Sequence, residues 1–378
     1  MTFRRIIFWL HLLAGLIGGL AIGIMCFTGT MLAFEKQLVA WADRDARTVV
    51  VPSMDAPRLT IDDLTRRVID ANPAAAPTAI VLSADPGTAV AYSLSRDRVV
   101  YADPYTGEIR GPSTTTIRDF MRRMENWHRW LALPGQQRPI GQAINRSCNA
   151  AFLILAVSGR YWGRPRRRSW ANLRAVALLN PTLSGKARDF NWHNAIGLWC
   201  APILIVLTVT ALPLSFRWAN NLIYQFAGEP PPTPPGSAGS GPTSPRYPAP
   251  PDGARPLSRE AVFTAVKKAS PAWTQITLRL AAPGRGSAGA RVPSTPEPSG
   301  EDRLRPRLPE PLTFAIATSG SWPRTATTAA LVNPFTSEFI RHETFRSQTT
   351  GRQLRIWTRF LHTGEALGWI GQLIAGAA

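Results

Sequence analysis

Cysteine, histidine and lysine are scarce in this chain of 378 residues, whereas arginine is abundant. The three cysteines all fall in apolar segments and none forms a CxxC pair, so the sequence indicates no disulfide framework. No zinc-finger spacing, P-loop or RNA-binding signature accompanies the net charge of +19, so we expect no nucleic-acid partner. Instead, the densest basic cluster directly follows an apolar run, which is typical of a loop at a membrane surface.

Long apolar runs are the main feature that the sequence does contain. The first, Ile6–Phe34, is almost uncharged and exceeds the roughly 20 residues needed to cross a ~30 Å hydrocarbon layer. It is also longer than the roughly 7–15 residues of a signal-peptide core, which favours an uncleaved anchor. Ala150–Trp162 and Trp199–Phe216 are further runs. The chain is therefore predicted to cross a lipid bilayer several times.

The arginines predict an orientation. Arg4 and Arg5 precede the first run and the cluster Arg164–Arg168 follows the second, which places both in the cytoplasm of a bacterial inner membrane by the positive-inside rule. The predicted order is a first transmembrane helix at 1–34, a periplasmic domain at 35–127, an interfacial segment with the second helix at 128–162, a basic cytoplasmic loop at 163–191, a third helix at 192–216, a second periplasmic domain at 217–360 and a fourth helix at 361–378.

Both periplasmic regions have the pattern of small α+β units. In the first, Leu59–Asn72 has helical apolar spacing with Thr60 as its N-cap, and short strand-like segments follow. These segments are Ala79–Leu82, Ala89–Leu94 and Arg98–Tyr101 in the first unit, and Thr274–Leu280, Leu312–Ala317 and Ala329–Val332 after a helix at Ser258–Ala269 in the second. Two stretches rich in Pro, Gly and Ser, Glu229–Gly253 and Ala282–Pro311, are predicted to be flexible insertions.

An internal repeat relates the two halves of the chain. The turn sequence beginning at Asp103 matches the one beginning at Asn333 with one added residue, and the first and third helices align without gaps. In that alignment His11 falls on His193, and Thr28 falls on Thr210. An Ile-Gly-Gln sequence, at 140–142 and 370–372, follows a histidine in each half. Two parallel halves of this kind imply a pseudo-two-fold axis along the membrane normal.

Four of the five histidines occupy equivalent positions in this repeat. His11 and His193 lie near the cytoplasmic ends of outgoing helices, and His128 and His362 lie just before the returning helices. The pseudo-two-fold axis would bring each pair to one depth, as axial ligation of haem iron from both faces requires. Interfacial histidines and tryptophans that reach to lipid headgroups are the alternative interpretation, and a metal-ion relay or a proton path are others. His342 is predicted to be an ordinary surface residue.

Several motifs together resemble the PepSY-associated transmembrane-helix family. They are Phe8-Trp9-Leu10-His11, Asp103-Pro-Tyr-Thr-Gly107, Arg188-Asp-Phe-Asn-Trp-His193, Trp218-Ala-Asn-Asn221 and Leu361-His-Thr-Gly-Glu365. The resemblance covers nearly the whole chain apart from the two insertions. It implies a membrane α-helical bundle of four transmembrane helices in two parallel pseudo-symmetric halves, with two small α+β periplasmic PepSY-like domains.

The resemblance also implies an activity. Some members are similar to inner-membrane ferric-siderophore reductases, which hold two haems b through histidines and release iron in the periplasm. The corresponding iron ligands here would be His11, His193, His128 and His362, with a ferric siderophore as the periplasmic partner and an electron donor that the sequence does not identify. No side chain is then expected to act as a catalytic acid or base. The alternatives are a non-enzymatic PepSY membrane protein that binds or regulates a partner, and a haem-bearing membrane subunit of another periplasmic reductase.

The last predicted helix is short for a transmembrane span. Gly364–Ala378 provides about 15 residues, or ~22 Å at about 1.5 Å per residue, against a ~30 Å hydrocarbon core. We therefore expect a helix that needs bilayer thinning or a longer chain to span fully.

Overall fold

The computed structural model describes residues 3–53, 55–95, 98–111, 115–162, 169–232, 254–280 and 310–378. Within these ranges, three helical stretches are long and apolar enough to cross a membrane, namely Arg5–Ala33, Gly135–Arg160 and Gly185–Ser215. The cluster Arg164–Arg168 and nearly all of both predicted insertions lie outside the described residues.

The membrane part of the chain is built from long helices joined by shorter ones. The helices are α1 Phe3–Ala33, α2 Glu35–Ala42, α3 Arg44–Arg47, α4 Ile61–Ala71, α5 Thr115–Trp130, α6 Arg138–Trp162, α7 Trp170–Ala177, α8 Gly185–Ser215, α9 Arg217–Phe226, α10 Arg259–Ala269, α11 Thr350–His362 and α12 Trp369–Ala377. Helices α1 and α8 are each 31 residues long. The gap-free alignment that places His11 on His193 also superposes their first and last residues, so the repeat is present in the helix lengths as well.

The segment predicted as a fourth spanning helix is interrupted. Helix α11 ends at His362, a 3₁₀ turn follows at Glu365–Leu367, and α12 begins only at Trp369. The cause is local, because Gly364 and Gly368 both adopt positive φ angles that end one helix and start the next. The expected continuous helix is therefore replaced by a nine-residue helix that packs beside α1.

The strands of the two predicted α+β units form one continuous sheet. The strands are β1 Ala79–Ser83, β2 Val90–Ser93, β3 Val99–Ala102, β4 Ile109–Arg110, β5 Trp273–Arg279, β6 Leu312–Thr318, β7 Thr327–Val332 and β8 Phe339–Glu343. All neighbours are antiparallel in the order β4-β3-β2-β1-β5-β6-β7-β8. The units are thus not two separate domains, because β1 pairs with β5 along its whole length.

One hydrophobic core holds this sheet and its two helices together. Leu64 and Val68 of α4 and Phe263 of α10 are fully buried against the same face of the sheet, with residues of both halves in one cluster. A helix that covers only four short strands would leave the inner edge strand β1 or β5 unpaired. Joining the units removes that edge and shares the core.

Helices α4 and α10 cap each other across the pseudo-two-fold axis. The carboxylate of Asp62 accepts hydrogen bonds from the backbone N–H groups of Arg259 and Glu260, each at 3.0 Å. In return, the Glu260 carboxylate accepts from the backbone N–H of Ile61 at 2.8 Å. Each helix N-terminus therefore receives an acceptor and a negative charge from the other half.

The repeated turn has the same structure in both halves. Asp103 Oδ1 accepts from the Tyr105 N–H and Asn333 Oδ1 accepts from the Phe335 N–H, each at 2.9 Å. The residue that the second copy adds is accommodated as a β-bulge, since Leu331 pairs with Arg341 while its neighbour Val332 pairs with Phe339. The match seen in the sequence is therefore a structural repeat.

The two Ile-Gly-Gln sequences lie at close backbone contacts. A Cβ atom at Gly141 would lie 2.0 Å from the carbonyl oxygen of Trp130, and one at Gly371 would lie 2.2 Å from that of Gly364. Only glycine permits this approach, which lets α6 and α12 turn tightly back after the segments that contain His128 and His362.

The reciprocal caps predict the effect of removing either acid. We expect Asp62→Ala to lower the free energy of unfolding by about 1–2 kcal/mol, because two backbone donors lose their acceptor, and Glu260→Ala by about 1 kcal/mol. Urea titration of the full chain in detergent, followed by tryptophan fluorescence, measures both. Asp70→Ala, an exposed substitution in the last turn of α4, is the matched control and should have little effect. Equal stability of all three variants would contradict the role of the caps.

Candidate functional site

Two pairs of histidines meet across the halves of the chain. The ring centroids of His11 and His193 are 6.3 Å apart, and those of His128 and His362 are 6.4 Å apart. We call the first the distal pair, because it lies near the N-termini of α1 and α8. We call the second the sheet-side pair, because α5 and α11 connect it to the sheet. The structure thus brings together the partners that the repeat predicts.

Backbone carbonyls at equivalent positions orient the sheet-side pair. His128 Nδ1 lies 3.1 Å from the carbonyl oxygen of Met25, and His362 Nδ1 lies 3.0 Å from that of Leu207. Met25 falls on Leu207 in the gap-free alignment of α1 with α8. Because a carbonyl can only accept, each Nδ1 carries the proton and donates. The Nε2 atom of each neutral ring is then left with its lone pair, which is the form that binds a metal.

The distal pair is held less symmetrically. His11 Nδ1 lies 3.0 Å from the hydroxyl oxygen of Ser158 on α6. A Cβ atom at the neighbouring Gly159 would lie 3.2 Å from the His11 ring, so the absence of a side chain there makes room for the imidazole. His193 is exposed, and the structure gives it no hydrogen bond within the described residues.

Glycines on α1 leave space along the helix between the two pairs. Added Cβ atoms at Gly19 and Gly23 would meet no atom within 4 Å, and one at Gly15 would meet only Leu155 at 3.9 Å. Gly29, beside the sheet-side pair, lies against the His128 ring at 3.2 Å. The face between the histidine levels is therefore free of side chains, as a flat macrocycle would require.

The spacing within each pair fits one metal ion between two imidazoles. Two metal–nitrogen bonds of about 2 Å, with about 1 Å from each nitrogen to its ring centre, place the centroids about 6 Å apart. Within the described parts of the chain, no group of three or more His, Cys, Asp or Glu side chains is placed to hold a metal. Each pair offers two ligands, which is the number that an iron porphyrin takes from a protein.

Equivalent arginines connect the histidine helices to the sheet unit. Arg118 of α5 forms an ion pair with the buried Asp43, which also accepts a 2.7 Å hydrogen bond from Tyr101 of β3. Arg352, which falls on Arg118 when His128 is aligned with His362, contacts Glu343 of β8 at 3.5 Å. The orientation of each sheet-side histidine is thus coupled to its own edge of the sheet.

Some of these contacts could not have been read from the sequence. The repeat predicts the four histidines and aligns Thr28 with Thr210, but a carbonyl partner such as that of Met25 has no signature of its own. Ser158 and Gly159 had no counterpart in the repeat that would single them out. His342 is exposed in β8, with its ring 5.5 Å from that of Phe339, in agreement with its prediction as a surface residue.

The long apolar helices and the attached sheet unit define a helical membrane protein with an α+β part outside the helices. The chain belongs to the family of the PepSY-associated TM region, whose model matches residues 8–378. No curated protein matches the chain. The family resemblance found in the sequence motifs is thereby confirmed over nearly the whole length.

The hydrogen bond from Tyr101 to Asp43 predicts a pH dependence. Burial, and then the neighbouring Asp43 carboxylate, raise the pKa of Tyr101 above its usual value. A raised pKa means that the stability contributed by the neutral phenol is present below about pH 10 and is lost as the pH rises beyond it. Tyr101→Phe should lower stability by about 1–2 kcal/mol at pH 7 and should flatten the decline between about pH 9 and 11. Thermal unfolding across this range measures the difference, and parallel curves for both proteins would refute it.

Proposed function

We propose that the chain transfers electrons across a bacterial inner membrane through two haems b and reduces a ferric siderophore on the sheet side, so that iron is released in the periplasm. The observation that carries the proposal is the spacing of 6.3 and 6.4 Å within two histidine pairs that lie at two depths. Membership of the PepSY-associated family supports it.

In this proposal the four histidines would hold the haem irons. His11 and His193 would supply both axial ligands at one level, and His128 and His362 at the other. When bound, each haem supplies a centre that gains and loses one electron. Because both axial positions are filled by imidazole, the site favours electron transfer over the binding of oxygen.

The protein sets the orientation and the separation of the two levels. The Met25 and Leu207 carbonyls fix the Nδ1 protons of the sheet-side pair and direct Nε2 between the rings. From His11 to Met25 there are fourteen residues of α1, or about 21 Å at about 1.5 Å per residue. The two pairs are thus separated by much of a ~30 Å hydrocarbon layer.

The choice of substrate follows from ligand chemistry. Siderophore oxygens are hard ligands that prefer Fe(III) to Fe(II), so reduction weakens the chelate. We propose that the ferric siderophore approaches the sheet unit and that the donor acts at the distal pair. We also propose that α12 contributes a fourth membrane-embedded helix beside α1, so that each half contributes two.

Haem content tests the ligand assignment. Purified protein should show an optical spectrum of two haems b, quantified as the pyridine haemochrome. His11→Ala and His193→Ala should each lose the same haem, and His128→Ala and His362→Ala should each lose the other, leaving about half of the haem in every variant. The residual spectra should be identical within a pair. His342→Ala is the control and should retain both haems.

Two results would count against this assignment. Protein purified without haem would favour a binding or regulatory role for the family fold. Loss of the same haem from the His11 and His128 variants would mean that ligands pair within a half.

The orientation can be tested separately with reporter fusions. Helix α7 lies at the end of the bundle opposite the sheet, so a fusion after residue 175 should report a cytoplasmic location. Fusions near residues 75 and 260, which flank the sheet, should report a periplasmic one. A periplasmic signal at residue 175 would contradict the proposed direction of electron flow.

A further inference from the structure

Arg146 is a charged residue inside one of the apolar helical stretches. It lies on α6, within Gly135–Arg160, and is half-buried. Its Nε atom is buried and has no hydrogen-bond partner, and its guanidinium lies 5.9 Å from the centre of the Phe216 ring. Within the described residues, no carboxylate forms an ion pair with it. Ionisable groups in membranes are costly and are usually paired, so this guanidinium lacks its anion.

The turn of α6 that contains Arg146 contacts both sides of the sheet-side pair. The Asn145 side chain donates to the backbone carbonyl of His128. The Asn149 side chain donates to the carbonyl of Thr208 at 3.2 Å, and Thr208 directly follows Leu207, whose carbonyl holds His362. Arg146 lies three residues nearer the sheet than Asn149, or about 4.5 Å along the helix. Its guanidinium is therefore on the sheet side of the histidine pair, between α6 and the end of α8.

The repeat shows that packing alone does not require a charge at this position. Aligning the two Ile-Gly-Gln sequences places Arg146 on Gly376, and aligning α1 with α8 places Phe34 on Phe216. The equivalent contact is present in both halves, because a Cβ atom at Gly376 would lie 3.1 Å from the Phe34 ring. A glycine satisfies the packing in one half, so the arginine in the other is a departure from the two-fold symmetry that calls for a ligand.

We propose that Arg146 binds an anionic oxygen group at the sheet-side pair, and that this group is a propionate carboxylate of the haem. This inference rests on the proposed function. A guanidinium and a carboxylate form paired, charge-assisted hydrogen bonds, which become stronger where water is excluded. A lipid phosphate has the same chemistry and is the other source of such an anion, so the test must separate the two.

The test uses the full chain in a phospholipid-free neutral detergent, in the His11→Ala background, so that only the sheet-side pair binds. The apoprotein is titrated with haem and with haem dimethyl ester, in which the carboxylates are blocked. With Arg146 present, the ester should bind about tenfold or more weakly than the free acid, as the loss of one charge-assisted hydrogen bond implies. Arg146→Gln should weaken the free acid by a similar factor and should leave the ester unchanged. Arg146→Lys should lie between the two.

Arg138→Gln is the matched control on the same helix, because Arg138 is exposed and lies over the Trp130 ring at 4.8 Å. It should leave both affinities unchanged. Thermal unfolding of the apoprotein checks folding, and Arg146→Gln should melt no lower than the parent, because it removes an unpaired charge.

Three results would overturn the inference. Equal loss of free acid and ester in Arg146→Gln would assign the residue a purely structural role. An effect that appears only after phospholipid is added would assign the anion to a lipid headgroup. Unchanged affinity in Arg146→Gln would exclude any contact. Failure of the parent with intact Arg146 to bind haem at all would instead overturn the proposed function together with this inference.

Discussion

The antiparallel pairing of β1 with β5 is the contact on which the arrangement of the two halves depends. Each half alone has only four short strands and one covering helix, and its inner edge would be exposed. Pairing of the inner edges, together with the reciprocal caps of Asp62 and Glu260, fixes one half against the other. Since α5 and α11 follow the outermost strands, this constraint also places His128 opposite His362.

A second constraint acts on the imidazole rings themselves. Carbonyl oxygens of the long helices hold the sheet-side histidines, and a carbonyl leaves only one tautomer that satisfies it. The helices therefore provide the orientation without a dedicated side chain, in the same way in both halves. The glycines at 29 and 159 complete the arrangement by letting a ring lie against a helix backbone. What the pairs can bind is thus determined by backbone geometry as much as by the histidines.

Periodicity and the repeat were sufficient to predict most elements but not their assembly. The helix at Ile61–Ala71 with its Thr60 cap, and strands β1, β2, β3, β5, β6 and β7, are confirmed to within one or two residues. The joining of two units into one sheet was not predicted, because β1 and β5 are far apart in sequence and short strands carry no record of their partner. The break after His362 was missed because apolar composition continues through Gly364 and Gly368, whose positive φ angles end the helix. The histidine pairing was predictable, since it needed only the repeat and a shared depth.

Two-fold repetition explains matched ligands, but it cannot by itself give a direction to electron flow. If the proposed function holds, direction must come from features that occur only once along the membrane normal. The sheet lies at one end of the helices only, so a ferric chelate meets one pair and not the other. Arg146, which replaces the Gly376 of the other half, places a positive charge beside that same pair. A positive charge near a redox centre favours its reduced form, because the added electron is stabilised electrostatically. The departures from symmetry therefore lie where electrons would leave the protein, whereas the symmetric residues hold the two centres in place.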